Sequence, residues 1–319
     1  MSEEASAGPE SLKDRLSYAG FAAVERLAMA LPEAWGRNLF DLGGEAAFFL
    51  APKTRRVVES NLARVLGREL GSPEVRAAAR EAFHSYARYW FEAFRVRVMP
   101  DQEVLNRFRI DGREHLVRAV QDGKGVIMAL PHMGNWDAAG KWVALQGWRI
   151  SAVAELLRPE RVFRLFLDHR KALGLNVVPL DDDRKVGEDL VRLLGENHVL
   201  ALVSDRDLKG RGVLVEMFGE KRRMPAGPAL LALATESPLM ACSVYDTADG
   251  WLIVMRPVEV ERTGNLRADV AALTRRLAAE FERSIAAAPT QWHMFQPAWD
   301  EADAADGDET VPSAAVTGP

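Results

Sequence analysis

His132 and Asp137, five residues apart, carry the strongest chemical signal in this sequence. They lie where an apolar run, Val126–Leu130, gives way to Pro131 and then to a helical pattern. On one continuous helix, residues i and i+5 point roughly 140° apart at about 100° per residue, so the pair could not meet there. A turn changes this. With His132 in the loop after a strand and Asp137 in the first turn of a helix through Trp142, the carboxylate is expected to reach the imidazole. His132 is then a general base for a hydroxyl nucleophile, and Asp137 fixes its tautomer and stabilises the imidazolium. The alternative is a structural histidine at a helix start, and the spacing alone does not choose between the two.

The surrounding pattern supplies elements for such a turn. Between Leu12 and Val98, apolar residues recur at three- and four-residue intervals (Phe21, Val24, Ala28 and Leu31, then Leu39, Leu42, Ala46 and Phe49 after Pro32). These predict two N-terminal amphipathic helices, followed by helices near 54–66 and 73–95. From Gly125 short apolar runs alternate with helical stretches. Strands are expected at 126–130, 150–154, 176–179, 199–203, 213–218, 240–245 and 252–256, and helices near 136–145, 159–173, 185–194, 225–235 and 266–288. Such alternation predicts an α/β fold with a central, mostly parallel sheet flanked by helices. Ligands of these sheets bind beyond the carboxyl ends of the strands. His132 follows one such end and Asp205 another, so the two are expected to share a site.

Composition narrows the function. The 319 residues are 48% hydrophobic, enough for a sizeable core, and we read 11–299 as one domain with a helical part, 11–98, and an α/β core, 99–299. The ends, 1–10 and 300–319, are small and polar and are expected to be disordered. They hold nine of the 46 acids and no base, so the net charge of −5 hides a body with 41 basic against 37 acidic side chains. A mildly basic body suits anionic lipid or phosphate-bearing ligands and is far too weakly charged for a dedicated nucleic-acid binder. The opening residues lack the basic head and apolar core of a secretory signal, and no apolar stretch reaches about 18 residues, so a cytoplasmic protein without a spanning helix is expected. Phe48 and Phe49, beside Lys53, Arg55 and Arg56, suggest an apolar wedge next to a basic patch that could rest on anionic headgroups. The first two helices could equally just pack on the sheet.

Other motifs are weaker. The single cysteine, Cys242, lies in an apolar run and reads as a small buried hydrophobe. Asp181-Asp182-Asp183 has no companion ligands and reads as a loop and helix start. Lys209, Arg211, Lys221, Arg222 and Arg223 surround an expected hairpin; a solvated face is the plainer reading, contact with phosphates the other. There is no G-x-S-x-G elbow, no G-x-x-x-x-G-K-[ST] phosphate loop and no dinucleotide fingerprint, so nucleotide cofactors are not indicated.

His132–Asp137 also resembles the motif of glycerophosphate and lysophospholipid acyltransferases. From about Tyr18 to Trp299 the chain resembles the lipid A late acyltransferase family, and within it the actinobacterial phosphatidylinositol mannoside acyltransferases. The matching segments are Asn61–Leu66, Leu130–Trp142, Val153–Glu155, Lys171–Gly174, Asp205–Leu208, Phe218–Glu220, Met224–Pro228 and Trp292–Trp299. The resemblance implies direct transfer of a fatty acyl chain from acyl-coenzyme A to a mannose hydroxyl of a phosphatidylinositol mannoside. The enzyme would be peripheral, at the cytoplasmic membrane face, and would need neither metal nor cofactor. It implies His132 as base, with Asp205 as a second carboxylate that polarises it. The mannoside enzymes carry glutamate there; with aspartate, either the backbone approaches more closely or Asp137 does more of the orienting. Glu155 and Arg170 match positions lining the polar acceptor pocket, where a carboxylate can bind sugar hydroxyls and a guanidinium a phosphate. Arg206 and Asp207 flank Asp205 as acceptor contacts or supports, and His293 sits in a motif that borders the site; each also has a plain structural reading. A lysophospholipid or other glycolipid acceptor, or a non-catalytic lipid-binding protein, are the rival functions.

Overall fold

The computed structural model describes residues 11–180, 183–207 and 210–299. The ends expected to be disordered, and Asp181-Asp182 of the acid run, lie outside the described residues.

Local punctuation sets the first four helices. α1 (Leu12–Ala30) opens on a capping box: Ser11 Oγ accepts from the Asp14 amide at 3.1 Å, and the Asp14 carboxylate accepts from the Ser11 amide at 3.2 Å. Pro52 follows the end of α2 (Glu33–Leu50) and opens α3 (Pro52–Leu66), which stops at Gly67 in the left-handed conformation, φ 59°. Ser72 caps α4 (Pro73–Arg95) through the Val75 amide.

The remainder alternates: α5 (Asp101–Arg107), β1 (Phe108–Asp111), α6 (Arg113–Gln121), β2 (Val126–Leu130), α7 (Trp136–Leu145), β3 (Ile150–Glu155), α8 (Glu160–Ala172), β4 (Asn176–Leu180), α9 (Asp183–Gly195) and β5 (Val199–Val203). Then come β6 (Val213–Met217), β7 (Glu220–Met224), α10 (Gly227–Thr235), β8 (Leu239–Thr247), β9 (Gly250–Val258) and α11 (Leu266–Ala287). Seven strands form one sheet in the order β1-β9-β8-β2-β5-β3-β4, parallel throughout except between β8 and β9. The predicted α/β architecture with its mostly parallel sheet is therefore present.

β2 is buried along its whole length, as a central parallel strand covered on both faces must be. Ile127 and Ala129 face a core built with α9, α10 and α11, while Met128 and Leu130 face one built with α6 and α7. The run expected as a strand at 213–218 pairs only with β7, forming a separate antiparallel hairpin turned by Phe218 and Gly219. α5, β1 and α6 were not expected from the sequence.

The N-terminal helices pack on α4 rather than on the sheet. Ala28 of α1 meets Phe91 and Phe94 of α4 together with Val162 and Phe166 of α8. The proposed wedge needs correcting: Phe48 is buried against Val58, Leu62 and Phe83, because its side of α2 faces α3 and α4. Phe49, on the other side, is exposed. It continues an exposed stripe of Trp35, Leu39, Leu42 and Ala46 at three- and four-residue spacing. Among the described residues, no helix is long and apolar enough to cross a membrane.

Candidate active site

Adjacent parallel strands bring the first pair together. β2 and β5 run in register from Val126 opposite Val199 to Leu130 opposite Val203, and the Ser204 amide donates to the Leu130 carbonyl at 2.8 Å. The residues just past both strand ends, His132 and Asp205, therefore emerge side by side. Asp205 Oδ1 lies 2.5 Å from His132 Nδ1, and Asp205 Oδ2 accepts from the His132 amide at 2.9 Å. Indole Nε1 of Trp292 donates to the same Oδ2 at 2.8 Å. With Nδ1–H given to Asp205, Nε2 is the basic nitrogen of the ring. Asp205 is fully buried, which by itself would raise its pKa; the charge of His132 and these hydrogen bonds outweigh burial and hold it at about 2. The aspartate side chain thus reaches both the ring and the backbone amide of His132.

Asp137 does something other than expected. Asn135 Oδ1 caps α7 through the Ala138 amide, which sets the first turn so that Asp137 faces α4 and α8, away from the imidazole. Its Oδ1 accepts from Arg170 Nε at 2.8 Å and its Oδ2 from the Tyr89 hydroxyl at 2.9 Å. The Asp137 carboxylate and the Arg170 guanidinium are both buried. Burial opposes the ionised form of Asp137, but the charge and hydrogen bond of Arg170 prevail and lower its pKa. The carboxylate hydrogen-bonded to the His132 ring is Asp205, whereas Asp137 pairs with Arg170 and Tyr89. Trp136, the residue before it, sets its ring edge-on to His132, with centroids 5.8 Å apart.

The remaining candidates fall around this pair. Arg206 Nη2 donates to Glu155 Oε2 at 2.9 Å, linking the ends of β5 and β3 across the mouth of the site. Asp207 Oδ2 accepts from the Gly212 amide at 2.5 Å, beside the start of the hairpin. His293 is buried, with Nε2 at 3.1 Å from Ser85 Oγ, and its backbone amide donates to the His132 carbonyl at 2.7 Å. Burial, reinforced by the charges of His132 and Arg88, pushes its pKa down to about 3, so it is neutral. Of the hairpin cations, Arg222 departs from the solvated reading. It is fully buried beneath the indoles of Trp292 and Trp299, and its Nη2 donates to the Asp205 carbonyl. Lys209 lies outside the described residues.

His132, Asp137, Glu155, Arg170, Arg206 and Asp207 all border one cavity of about 650 Å³. From the polar mouth it extends behind the sheet between β2 and α7, lined by Met128, Leu130, Trp142, Val143 and Ile253. Leu190 of α9, Leu202 of β5 and Leu231 of α10 line it as well. Cys242 lines it too, its thiol pushed up to about 12 by burial, so it is no nucleophile at neutral pH. Among the described residues, no group of three His, Cys, Asp or Glu is placed to hold a metal ion. Sequence reasoning missed Tyr89, Ser85 and the inward roles of Arg222 and Trp292. The one available signal was that Trp292 and Arg222 fall in or beside the matching segments.

A histidine–carboxylate pair thus stands at the carboxyl ends of two parallel strands, beside a largely apolar cavity. The chain belongs to the bacterial lipid A biosynthesis acyltransferase family, whose model matches residues 10–301. It is 38% identical over 284 residues to the phosphatidylinositol mannoside acyltransferase of Mycolicibacterium smegmatis, covering 88% of this chain and 90% of that one. It is 40% identical over 285 residues to the protein of the same name in Mycobacterium tuberculosis (strain CDC 1551 / Oshkosh), covering 88% of this chain and 86% of that one.

Proposed function

We propose that this protein transfers a fatty acyl chain from acyl-coenzyme A to a mannose hydroxyl of a phosphatidylinositol mannoside, at a membrane surface, with His132 as general base. The observation that carries the reading is the dyad: His132 gives Nδ1 to Asp205, while its ring borders an apolar cavity of about 650 Å³. His132 Nε2 takes the proton of the sugar hydroxyl, the oxygen attacks the thioester carbonyl carbon, and the carbon–sulfur bond breaks. Nε2–H then returns its proton to the departing thiolate. Asp205 stabilises the transient imidazolium, the apolar cavity takes the acyl chain, and the polar mouth with Glu155, Arg170, Arg206 and Asp207 takes the headgroup.

Support for the acceptor is the name of the relatives at 38–40% identity, phosphatidylinositol mannoside acyltransferase. Support for membrane docking is the exposed α2 stripe of Trp35, Leu39, Leu42 and Phe49, with exposed Lys53 and Arg56 beyond it. Mass spectrometry of products from defined acyl-coenzyme A donors, offered mannosylated phosphatidylinositol and lysophospholipid side by side, tests the reading. An acylated mannoside is expected; activity on lysophospholipid alone would overturn the acceptor. Stable label left on the protein by radiolabelled palmitoyl-coenzyme A alone would refute direct transfer. Flotation with anionic vesicles should weaken as salt rises, and a protein that never floats would end the membrane claim.

A further inference from the structure

The dyad is held from a third direction, by chain far from both of its members in sequence. After α11 a single 3₁₀ turn, Pro289–Gln291, leads into a strap laid along the loop that carries His132. Three backbone contacts stitch the two: the Gly134 amide donates to the Gln291 carbonyl at 3.2 Å, Met133 bridges Trp292, and the His293 amide donates to the His132 carbonyl at 2.7 Å. The strap is anchored at its far end by Asn61 of α3. Asn61 Nδ2 donates to the carbonyls of Met294 at 3.0 Å and Gln296 at 2.8 Å, and Asn61 Oδ1 accepts from the Ala298 amide at 3.2 Å. What the strap delivers is the indole of Trp292, buried, with Nε1 on Asp205 Oδ2 at 2.8 Å. Beneath that indole the Arg222 guanidinium sits 5.9 Å from its ring centre and donates to the carbonyl of Asp205 itself.

We infer that Trp292 is a positioning residue for the acyl transfer: its N–H fixes the plane of the Asp205 carboxylate so that Oδ1 meets His132 Nδ1. This rests on the function proposed above. A carboxylate with one oxygen on an imidazole can still rotate about its own axis. A second donor on the other oxygen removes that freedom, as partners behind the ligands of metal sites do. The His132 amide alone cannot do this for the ring, because it is covalently part of the loop whose position must itself be set.

Two variants that delete the donor test it: Trp292→Phe, and replacement of Trp292 by 3-benzothienylalanine, which keeps the indole outline and lacks the N–H. Each is measured by steady-state kinetics, by melting temperature, and by proton NMR of the far-downfield signal from the His132 Nδ1–Asp205 hydrogen bond. We expect kcat to fall about 10–100-fold, the scale seen when such outer partners are removed. KM for acyl-coenzyme A should stay within about twofold, and the downfield proton should shift or vanish while the protein remains folded. Wild-type kcat in a folded variant overturns the inference. So does a loss of activity that merely tracks unfolding while the folded fraction keeps its downfield signal. The NMR readout needs no substrate: a native chain inactive on every mannoside but with a Trp292-dependent downfield proton would defeat the proposed function and leave the positioning role standing.

Discussion

Replacing Asp137 by asparagine separates two roles that its place in the motif runs together. If Asp137 oriented the imidazole, its loss would resemble that of the orienting aspartate in a serine-protease triad, where the asparagine variant loses about 10⁴-fold in kcat. Its contacts instead run to Arg170 Nε at 2.8 Å and the Tyr89 hydroxyl at 2.9 Å. The asparagine can still accept from Tyr89, so the main change is a guanidinium left 5% exposed without its counter-charge. Removing one member of a buried ion pair costs about 3–5 kcal/mol. At about 2 °C per kcal/mol for a chain of this size, Asp137→Asn is expected to lower the melting temperature by roughly 6–10 °C. Its kcat should fall less than about tenfold, against about 10⁴-fold for Asp205→Asn. Asp137→Asn with Arg170→Met removes both charges and should recover most of the stability, since no unpaired charge remains. Differential scanning calorimetry with parallel kinetics decides. An Asp137→Asn protein that melts like wild type but loses kcat as severely as Asp205→Asn would refute the argument.

Asn61→Ala strips partners from one buried and one half-buried carbonyl and one buried amide of the strap, at about 1 kcal/mol each, so about 3 kcal/mol of stability should be lost in chemical denaturation, and kcat should fall with it. Unchanged values for both would show that the strap holds without α3. His293 is neutral when folded because burial depresses its pKa from 6.5 to about 3; between those values the unfolded chain binds the extra proton, so its share of stability is lost as pH falls from 6.5 towards 3. His293→Gln should flatten that acid decline by up to about 1.4 kcal/mol per pH unit across the window, and parallel slopes in variant and wild type would contradict it. Cys242→Ala should leave kcat within about twofold, because a buried thiol pushed up to about 12 takes no part in the proposed chemistry. A tenfold loss without unfolding would reopen an acyl-enzyme route.

Much of the fold was legible because its signals are local. Ser11 with Asp14, Pro52, Gly67 and Ser72 punctuate the helical part, and the alternation of Val126–Leu130, Val199–Val203 and their neighbours with helical stretches forces a parallel sheet. β1, at four residues, is too short to carry a periodic pattern. β7, Glu220–Met224, is mostly charged, and only its partner β6 holds it as a strand. Phe48 and Phe49 look alike in sequence, yet α2 turns one into the core and the other outward, a difference fixed by where α3 and α4 lie.

The site was half legible for the same reason. That His132 and Asp205 would share an end of the sheet follows from strand polarity, which a sequence can state. Which carboxylate reaches the ring depends on register and on the direction of the first turn of α7. Leu130 opposite Val203 puts Asp205 beside His132, and the Asn135 cap aims Asp137 at Arg170. Arg222 was harder still. In a run of three hairpin cations it is indistinguishable from its neighbours, and only β7's alternation turns it inward under Trp292 and Trp299. Its buried guanidinium donates to the backbone carbonyl of Asp205, whose side chain has zero exposure. The cation read as solvated and the tryptophan read as motif therefore meet at Asp205: Arg222 of β7 holds its backbone carbonyl and Trp292 of the strap one carboxylate oxygen, while the charge and hydrogen bonds of His132 do most to keep it ionised.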